Sequence, residues 1–376
     1  MRRLEEIKPI PVGEIGEGPL VPAPGTATSR LLRRARGAAL ELLGFLLITI
    51  LSPLLFLGAL VVDLYLKART GKPLVGVRLL AFIWCFLLTE LVALILLTGI
   101  WLRSGGPFGV GSMSRRRGVY WLRPRWARAH LVAFRTLFGV GVEIEGLEEA
   151  SPGPVIVCIR HASIVDNLLG DNTLALRGGY GLRYVVKREL EVLPAIDIGG
   201  RWIPTNFLNR ADAELDKLVL LTEDLGPAEA ITIYPEGTRA TARKIARAKE
   251  IVRERQPEVA PLAEPLVNLL PPRLGGPLAL LESAPDLDVV FYAHVGFDGY
   301  EYISDIWAGG LVGSTIRCKL WRVPASEIPR QQGERAMTEW LYGEWHRMDR
   351  WVTGALEDLG GPTAPEKAAD RVGSPG

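Results

Sequence analysis

A histidine and an aspartate stand five positions apart directly after a short apolar run. Residues 155–159 read VIVCI, and the following RHASIVD contains His161, Ser163 and Asp166. A histidine held by a carboxylate through one ring nitrogen is a good general base, because the carboxylate fixes the tautomer and stabilises the imidazolium. His161 and Asp166 are therefore a candidate catalytic pair; a helix cap or a surface position is the alternative for His161.

A second loop combines the residue types that bind phosphate. The apolar run 230–234 is followed by Pro235, Glu236, Gly237, Thr238 and Arg239. Glycine lets the backbone approach a ligand closely, the threonine hydroxyl donates hydrogen bonds, and arginine binds phosphate through two nitrogens. The alternative is a local ion pair between the glutamate and the arginine.

Two further cations follow a third apolar run, 183–186. Lys187 comes directly after it, and Arg210 lies in the loop that continues from it. Both would add positive charge beside the two loops already described. The alternative for Lys187 is a solvated strand end.

The elements that must position these loops alternate between strands and helices. Short β-branched runs predict strands, and several are apolar throughout, as expected of strands buried on both faces. Such alternation predicts an α/β domain with a largely parallel sheet flanked by helices, whose sites form at the carboxyl ends of the strands. The predicted strands are 155–159, 183–186, 230–234, 289–294 and 315–323, and the clearest helices are 211–225 and 239–256.

Two long apolar segments precede this domain. Residues 42–62 and 79–101 each reach the roughly 20 residues that a membrane-crossing helix needs. The linker 63–78 predicts a two-helix membrane hairpin, which either crosses the bilayer or, given Pro53, dips into one leaflet. Flanking arginines and lysines favour a cytoplasmic catalytic domain. Glu90, inside the second segment, is either a functional acid or a paired one.

The composition limits which kinds of partner and site remain possible. The 376 residues carry 44 basic and 42 acidic side chains, so no global basic field is available for nucleic acid. Three scattered cysteines indicate neither a disulfide framework nor a zinc site, and we expect no metal and no cofactor. We predict four segments along the chain. They are a disordered tail over 1–29, the hairpin with basic flanks over 30–128, the catalytic domain over 129–357 and a second disordered tail over 358–376.

In this order, the segments resemble the glycerolipid acyltransferase family, which includes 1-acylglycerol-3-phosphate and other lysophospholipid acyltransferases. His161 and Asp166 match its His-x4-Asp signature, with Ser163 as the small polar residue inside it, and 236–239 match its Glu-Gly-Thr-Arg block. Residues 142–146 resemble its first strand, and 269–275, with Arg273, its fourth block. That block and the aromatic residues of 340–349 point to the lysocardiolipin acyltransferase branch.

The resemblance implies a membrane-bound acyltransferase. His161, oriented by Asp166, would deprotonate the sn-2 hydroxyl of lysophosphatidic acid as it attacks acyl-CoA or acyl-carrier protein. Arg239, Lys187 and Arg210 would hold the acceptor phosphate, and Glu236 and Gly237 would shape its pocket, with Thr238, Ser163 and Arg273 also binding substrate. Alternatives are another lysophospholipid acceptor, with an inositol or glycerol head group, and a lipid-binding protein without activity. Membrane lipids are the remaining expected partners.

One position departs from the family pattern. Arg160 stands where the family commonly has asparagine, and a cation beside a general base disfavours its protonated form. The sequence leaves two possibilities, that Arg160 points away from His161 or that it binds an anionic substrate.

Overall fold

The structure is a computed structural model that describes residues 14–208, 215–300, 303–307 and 309–360. The tail predicted over 358–376 lies outside the described residues from position 361 onward, and so does Arg210. Residues 1–13 of the predicted N-terminal tail are outside them as well.

A seven-stranded sheet forms the centre of the catalytic domain. Its order is β1-β7-β6-β2-β5-β3-β4, and every neighbouring pair is parallel except β6 and β7. Five strands therefore share one direction and bring their carboxyl ends to one edge, whereas β7 and β1 run the other way. The strands are β1 Gly141–Glu145, β2 Val155–Ile159, β3 Gly181–Lys187, β4 Thr205–Leu208, β5 Glu229–Ile233, β6 Asp288–Val295 and β7 Thr315–Val323.

The α/β fold with a largely parallel sheet is thus confirmed, with two additions. The strand β4 was not expected, because its residues do not form an apolar run long enough to indicate a strand. The antiparallel orientation of β7 relative to β6 was also not expected, because an apolar pattern does not encode strand direction.

Helices cover both faces of the sheet. The long helices are α1 Ala27–Thr70, α2 Val75–Arg103, α3 Met113–Phe138, α7 Ala242–Arg255 and α11 Glu334–Asp358. The shorter ones are α4 Asn167–Gly170, α5 Pro194–Gly200, α6 Leu215–Val219, α8 Ala260–Ala263, α9 Gly275–Ser283 and α10 Ile303–Ile306. Only residues 215–225 of the predicted helix 211–225 are described, and within them only α6 is helical.

Side chains that alternate along the strands enter two separate cores. Val157 and Ile159 of β2 join the core that contains α2 and α3, whereas Ile156 and Cys158 join the core of α9 and α11. This alternation is the period-two pleat of a strand buried on both faces. The sheet therefore separates a hairpin layer, α1 to α5, from a distal layer, α6 to α9 with α11.

The hairpin is longer and more tightly turned than predicted. The helices α1 and α2 extend well beyond the apolar runs 42–62 and 79–101, and only residues 71–74 join them. Their flanks are rich in leucine, arginine and lysine, which favour helix, and Gly71 ends α1 with a left-handed φ of 72°. Pro53 lies inside α1 without ending it. Both helices are long and apolar enough to cross a membrane.

Glu90 of α2 is a paired acid in this arrangement. Its side chain is fully buried, and its Oε1 accepts a hydrogen bond of 2.6 Å from the indole Nε1 of Trp126 in α3. This contact agrees with the paired alternative, and it ties the hairpin to α3.

From residue 14 onward the N-terminal segment is ordered, which contradicts the disordered tail predicted over 1–29. Ile15 and Val21 are buried, and the N–H of Gly16 donates to Glu229 at 2.9 Å. The guanidinium of Arg116 donates to the carbonyls of Gly16 and Gly18 at 2.5 and 2.6 Å. A segment without periodic apolar residues is ordered here because backbone hydrogen bonds to buried charges hold it.

The last helix fixes the segment that leads into the predicted fourth block. The Asp349 carboxylate accepts the N–H groups of Val267, Asn268 and Leu269 at 2.7–3.0 Å. The indole of Trp345 donates to the Leu270 carbonyl at 2.9 Å. These bonds set the path of the chain toward Arg273.

We expect Asp349→Ala to lower the free energy of unfolding by roughly 2–3 kcal/mol, because it leaves buried N–H groups without their charged acceptor. Asp358→Ala, on the same helix, is the control: its carboxylate is 67% exposed in an ion pair with Arg317, and we expect a change below about 1 kcal/mol. Denaturant unfolding in detergent compares the two. Equal losses would contradict the anchoring role of Asp349.

Candidate active site

His161 and Asp166 lie at the carboxyl end of β2, where the chain turns into a short helical segment. The ring nitrogen Nδ1 of His161 lies 3.2 Å from Oδ2 of Asp166, and both side chains are buried. Since a carboxylate accepts, Nδ1 donates the hydrogen bond. Nε2 is then the nitrogen that is left to take up a proton.

Backbone donors hold the Asp166 carboxylate in place. Its Oδ2 accepts the N–H groups of Ala162 and Ser163 at 2.6 and 2.7 Å. His294 of β6 approaches the same oxygen to 3.6 Å. Burial alone would raise the pKa of Asp166, but these neighbours outweigh it, and the pKa lies below the usual value. Asp166 is therefore ionised at neutral pH.

Arg160 points away from His161, which decides between the two possibilities that the sequence leaves. Its guanidinium pairs with Asp298 at 2.5 Å and donates to the carbonyl of His294. Only 1% of the residue is exposed. Arg160 therefore joins the end of β2 to the loop after β6 and has no exposed surface for a substrate.

Ser163 differs from the expectation that it binds substrate. The residue is fully buried, and its hydroxyl donates to the carbonyl of Tyr300 at 2.7 Å. Like Arg160, it connects the His161 loop to the loop after β6.

Glu236 is also turned into the protein. It is 2% exposed, and neither of its carboxylate oxygens has a hydrogen-bond partner among the described residues. Burial raises the pKa of Glu236 well above the usual value, with Arg160 opposing. The side chain is therefore turned away from solvent, and burial favours its neutral form.

The loop after β5 brings Gly237 against Arg273. Gly237 has a φ of +65°, and a Cβ at this position would come within 2.7 Å of Nε of Arg273. The backbone N–H of Arg273 donates to the carbonyl of Pro235 at 2.8 Å. The predicted fourth block therefore lies on the Glu-Gly-Thr-Arg loop, with the Arg273 residue exposed.

Lys187 and Arg239 place positive charge near His161. Burial lowers the pKa of His161 below its usual value; the hydrogen bond that His161 donates to Asp166 opposes this, and the charges of Lys187 and Arg239 add to the lowering. His161 is therefore neutral at pH 7 and available as a base. Both cations and Thr238 are partly exposed, as residues that bind a ligand must be.

An apolar cavity of about 480 Å³ lies between α2, α3 and the sheet. Tyr234 lines it, and the ring of Tyr234 lies 4.9 Å from that of His161. Val165 and Leu168, which flank Asp166, line it too. Most of the wall is aliphatic or aromatic, with Arg123 and Asp171 as a charged pair 3.4 Å apart. The cavity has the size and lining of a binding site for an apolar chain.

Sequence reasoning missed the residues behind the pair. His294 and Asp298 belong to the end of β6, more than 130 positions from His161, and the only signal was their place at a predicted strand end. His294 Nε2 donates to the Arg160 carbonyl at 2.9 Å and so fixes the backbone next to His161.

Among the described residues, no group of three or more His, Cys, Asp or Glu could hold a metal ion.

A comparison with protein families finds a match over the segment that contains these loops. The family model described as Acyltransferase matches residues 141–262, which include β1 through the His161 and Glu236 loops to α7. A probable 1-acyl-sn-glycerol-3-phosphate acyltransferase 5 from Arabidopsis thaliana is 27% identical over 186 residues, 47% of this chain. This chain spans about half the length of that relative, 47%.

Among solved structures, the 1-acyl-sn-glycerophosphate (LPA) acyltransferase PlsC from Thermotoga maritima is similar at 16% identity with a TM-score of 0.46, over 76% of this chain and 98% of that one. The motif residues and the family match together identify residues 141–262 as an acyltransferase domain. Residues 141–262 thus belong to the family described as Acyltransferase.

Proposed function

We propose that the protein transfers a fatty acyl group from a thioester donor to the sn-2 hydroxyl of 1-acylglycerol-3-phosphate, giving phosphatidic acid. The observation that carries this proposal is the contact between His161 and Tyr234, which places a neutral, carboxylate-held histidine next to a residue that lines an apolar cavity. A general base beside a site for an acyl chain is what acyl transfer requires.

The chemistry uses one base and no acyl-enzyme. His161 Nε2 takes the proton from the acceptor hydroxyl as its oxygen attacks the thioester carbonyl carbon. The new C–O bond forms, the C–S bond breaks, and the imidazolium returns the proton to the departing thiolate. Asp166 remains ionised and stabilises the imidazolium while it exists.

The acceptor phosphate is assigned to Lys187 and Arg239, with Arg273 behind Gly237 as a third cation. All three are at least partly exposed, and they lie in or against the loops at the carboxyl edge of the sheet. A phosphate monoester, as in lysophosphatidic acid, fits several cations better than a diester does. A lysophospholipid with a glycerol or inositol head group is the second candidate, because Arg273 lies in the block that resembles the lysocardiolipin branch.

The hairpin is assigned to one leaflet of the membrane, in the re-entrant form. At one end, Arg33 and Arg34 pair with Asp197 of α5 at 2.9 and 2.8 Å. At the other end, the Lys72 amine lies 5.0 Å above the ring of Trp307. A hairpin that crossed the bilayer would carry its tip about 30 Å from the domain, beyond reach of Trp307.

The outer face of α1 is the surface that would enter the leaflet. Leu31, Ile50, Leu54 and Leu57 are each at least 60% exposed there. Apolar side chains on a helix that lies in the interface enter the acyl region, with basic residues at the head groups. In this orientation the cavity between α2, α3 and the sheet adjoins the lipid surface from which a lysophospholipid comes.

Acyl transfer to a panel of lysophospholipids tests the function. With acyl-CoA and acyl-carrier protein as donors, we expect lysophosphatidic acid to be acylated fastest and His161→Ala to lose at least about a hundredfold in kcat, because general-base assistance contributes about 10²–10⁴-fold. His346→Ala is the matched control, since that histidine lies in α11 and bonds the carbonyl of Leu262.

If another head group is preferred and activity still depends on His161, the proposed acceptor is wrong and the proposed mechanism stands. Turnover by His161→Ala equal to that of the unchanged protein would contradict the role of the base.

The pH dependence of kcat/KM tests the two cations. Because the pKa of His161 lies below its usual value, activity is full at pH 7 and falls only as the pH drops through that lowered pKa. Lys187→Gln and Arg239→Gln each remove a charge that lowers this pKa, so we expect the acid limb to move to higher pH in both variants.

Arg335→Gln, on the exposed N-terminal turn of α11, should leave the acid limb in place. An acid limb that stays where it is in both Lys187→Gln and Arg239→Gln would contradict the placement of these charges beside His161.

A further inference from the structure

Arg123 and Asp171 form a charged pair in the wall of the apolar cavity. Arg123 belongs to α3 and Asp171 directly follows α4, and 3.4 Å separate Nε of the arginine from Oδ2 of the aspartate. The other oxygen, Oδ1, accepts a hydrogen bond from the Tyr184 hydroxyl, so both carboxylate oxygens are satisfied. Taking two charges out of water is costly, and the cost is offset only when their remaining polar groups also find partners.

The Arg123 guanidinium has hydrogen-bond donors that the protein leaves unused. Its Nε donates to Asp171, whereas its two terminal amino groups have no partner among the described residues. The Cζ atom lies 3.3 Å from the ring centroid of Tyr184, and this stacking fixes the plane of the guanidinium. The side chain is 19% exposed and lines the cavity, and its terminal nitrogens are not enclosed by protein. The amino groups therefore face the space that a substrate chain would fill.

This charged pair lies near the base. Tyr234 lines the same cavity, and its ring lies 4.9 Å from that of His161. Burial raises the pKa of the Tyr234 hydroxyl, and the charges of Asp166 and Asp171 raise it further. The charge of Arg123 lowers it. Tyr234 is therefore within electrostatic reach of both the catalytic pair and the charged pair, which places Arg123 toward the reacting end of a bound chain.

The unused donors penalise a chain that is apolar throughout. Water can solvate the Arg123 amino groups when no chain is bound, but a bound chain displaces that water. A charged donor that is left without an acceptor then carries a desolvation cost that apolar contacts do not offset. A chain with an oxygen atom opposite Arg123 avoids this cost, because the guanidinium donates a charge-assisted hydrogen bond to it. Sites of this kind reject an analogue without the oxygen far more strongly than an apolar pocket rejects a change of one methylene.

We propose that Arg123 selects substrates by binding an oxygen atom on the chain that fills the cavity, close to the reacting end of that chain. This inference rests on the proposed function and adds a polar group to its substrates. Two substrates can supply such an oxygen: a thioester donor whose acyl chain carries a hydroxyl near the carbonyl, or a lysophospholipid whose sn-1 chain is joined through an ester. The chemistry at Arg123 is the same in both, a guanidinium N–H that donates to oxygen.

Two matched substrate pairs test the selection in the full-length protein in mixed micelles. The donor pair is 3-hydroxyacyl-CoA and unsubstituted acyl-CoA of the same length, and the acceptor pair is 1-acyl- and 1-O-alkylglycerol-3-phosphate. We expect kcat/KM to favour the oxygen-bearing member of one pair at least about tenfold, because the other member leaves the donors of Arg123 unpaired. The pair that shows the preference identifies the substrate whose oxygen Arg123 binds.

Removal of the guanidinium must abolish this preference. Because Arg123→Met alone leaves Asp171 without its cation, the test combines Arg123→Met with Asp171→Asn, whose amide oxygen can still accept the Tyr184 hydroxyl. We expect the preference to fall below about threefold in this double variant, and thermal unfolding checks that it is folded. Arg123→Lys, which keeps the charge and lacks the planar fork, should weaken the preference and serves if the double variant does not fold. Arg125→Met is the matched control on α3; that guanidinium lies 4.5 Å from the ring of the exposed Trp121, and its loss should leave the preference intact.

Equilibrium binding separates a failure of this inference from a failure of the proposed function. Isothermal titration with thioether analogues of the two donors, and with the two acceptors alone, measures the preference without turnover. Equal Kd and kcat/KM within both pairs, or a preference that persists in the double variant, would overturn the role of Arg123. Transfer without any preference would reject the inference and keep the function, whereas a preference in binding without transfer from either donor would reject the function and keep the selection.

Discussion

The buried carboxylate of Asp166 is the constraint on which the site depends. A charge so far from water is tolerated only when hydrogen-bond donors surround it, and here they are the N–H groups of Ala162 and Ser163 and the ring of His161. These donors bend the chain at the end of β2 so that the imidazole and the carboxylate meet. Arg160, bound to Asp298, and Ser163, bound to the Tyr300 carbonyl, fasten this bend to the end of β6. The base is therefore fixed by two neighbouring strands of the sheet.

The sheet also divides the molecule into two layers with different neighbours. Leucines exposed on α1 characterise the hairpin layer, and arginines exposed on α7 characterise the distal layer. The active site lies at the carboxyl edge, which both layers reach.

Local pattern predicted much of the fold, and distant pairing explains what it did not predict. The β-branched runs give five of the seven strands, and the spacing of His161, Asp166 and residues 236–239 gives the motif loops. The order of the segment 14–26 depends on Glu229 and Arg116, more than 90 positions away, and no local signal encodes it. Glu236 and Ser163 belong to the motif, yet both are buried, whereas Lys187 and Arg239 are partly exposed, as ligand binding requires. A motif identifies a loop, and burial decides which side chains face the ligand.

Acyl transfer at His161 requires that the acyl chain of the donor reach the apolar cavity past Tyr234. A structure of the protein with a non-transferable thioether analogue of the acyl donor tests it most directly. We expect the acyl chain to occupy the cavity between α2, α3 and the sheet and to pass Tyr234. The carbon that stands for the carbonyl should then lie within about 4 Å of His161 Nε2, near-attack distance for a hydroxyl between them. An acyl chain bound elsewhere on the protein, with the cavity closed and His161 remote from the reacting carbon, would contradict it.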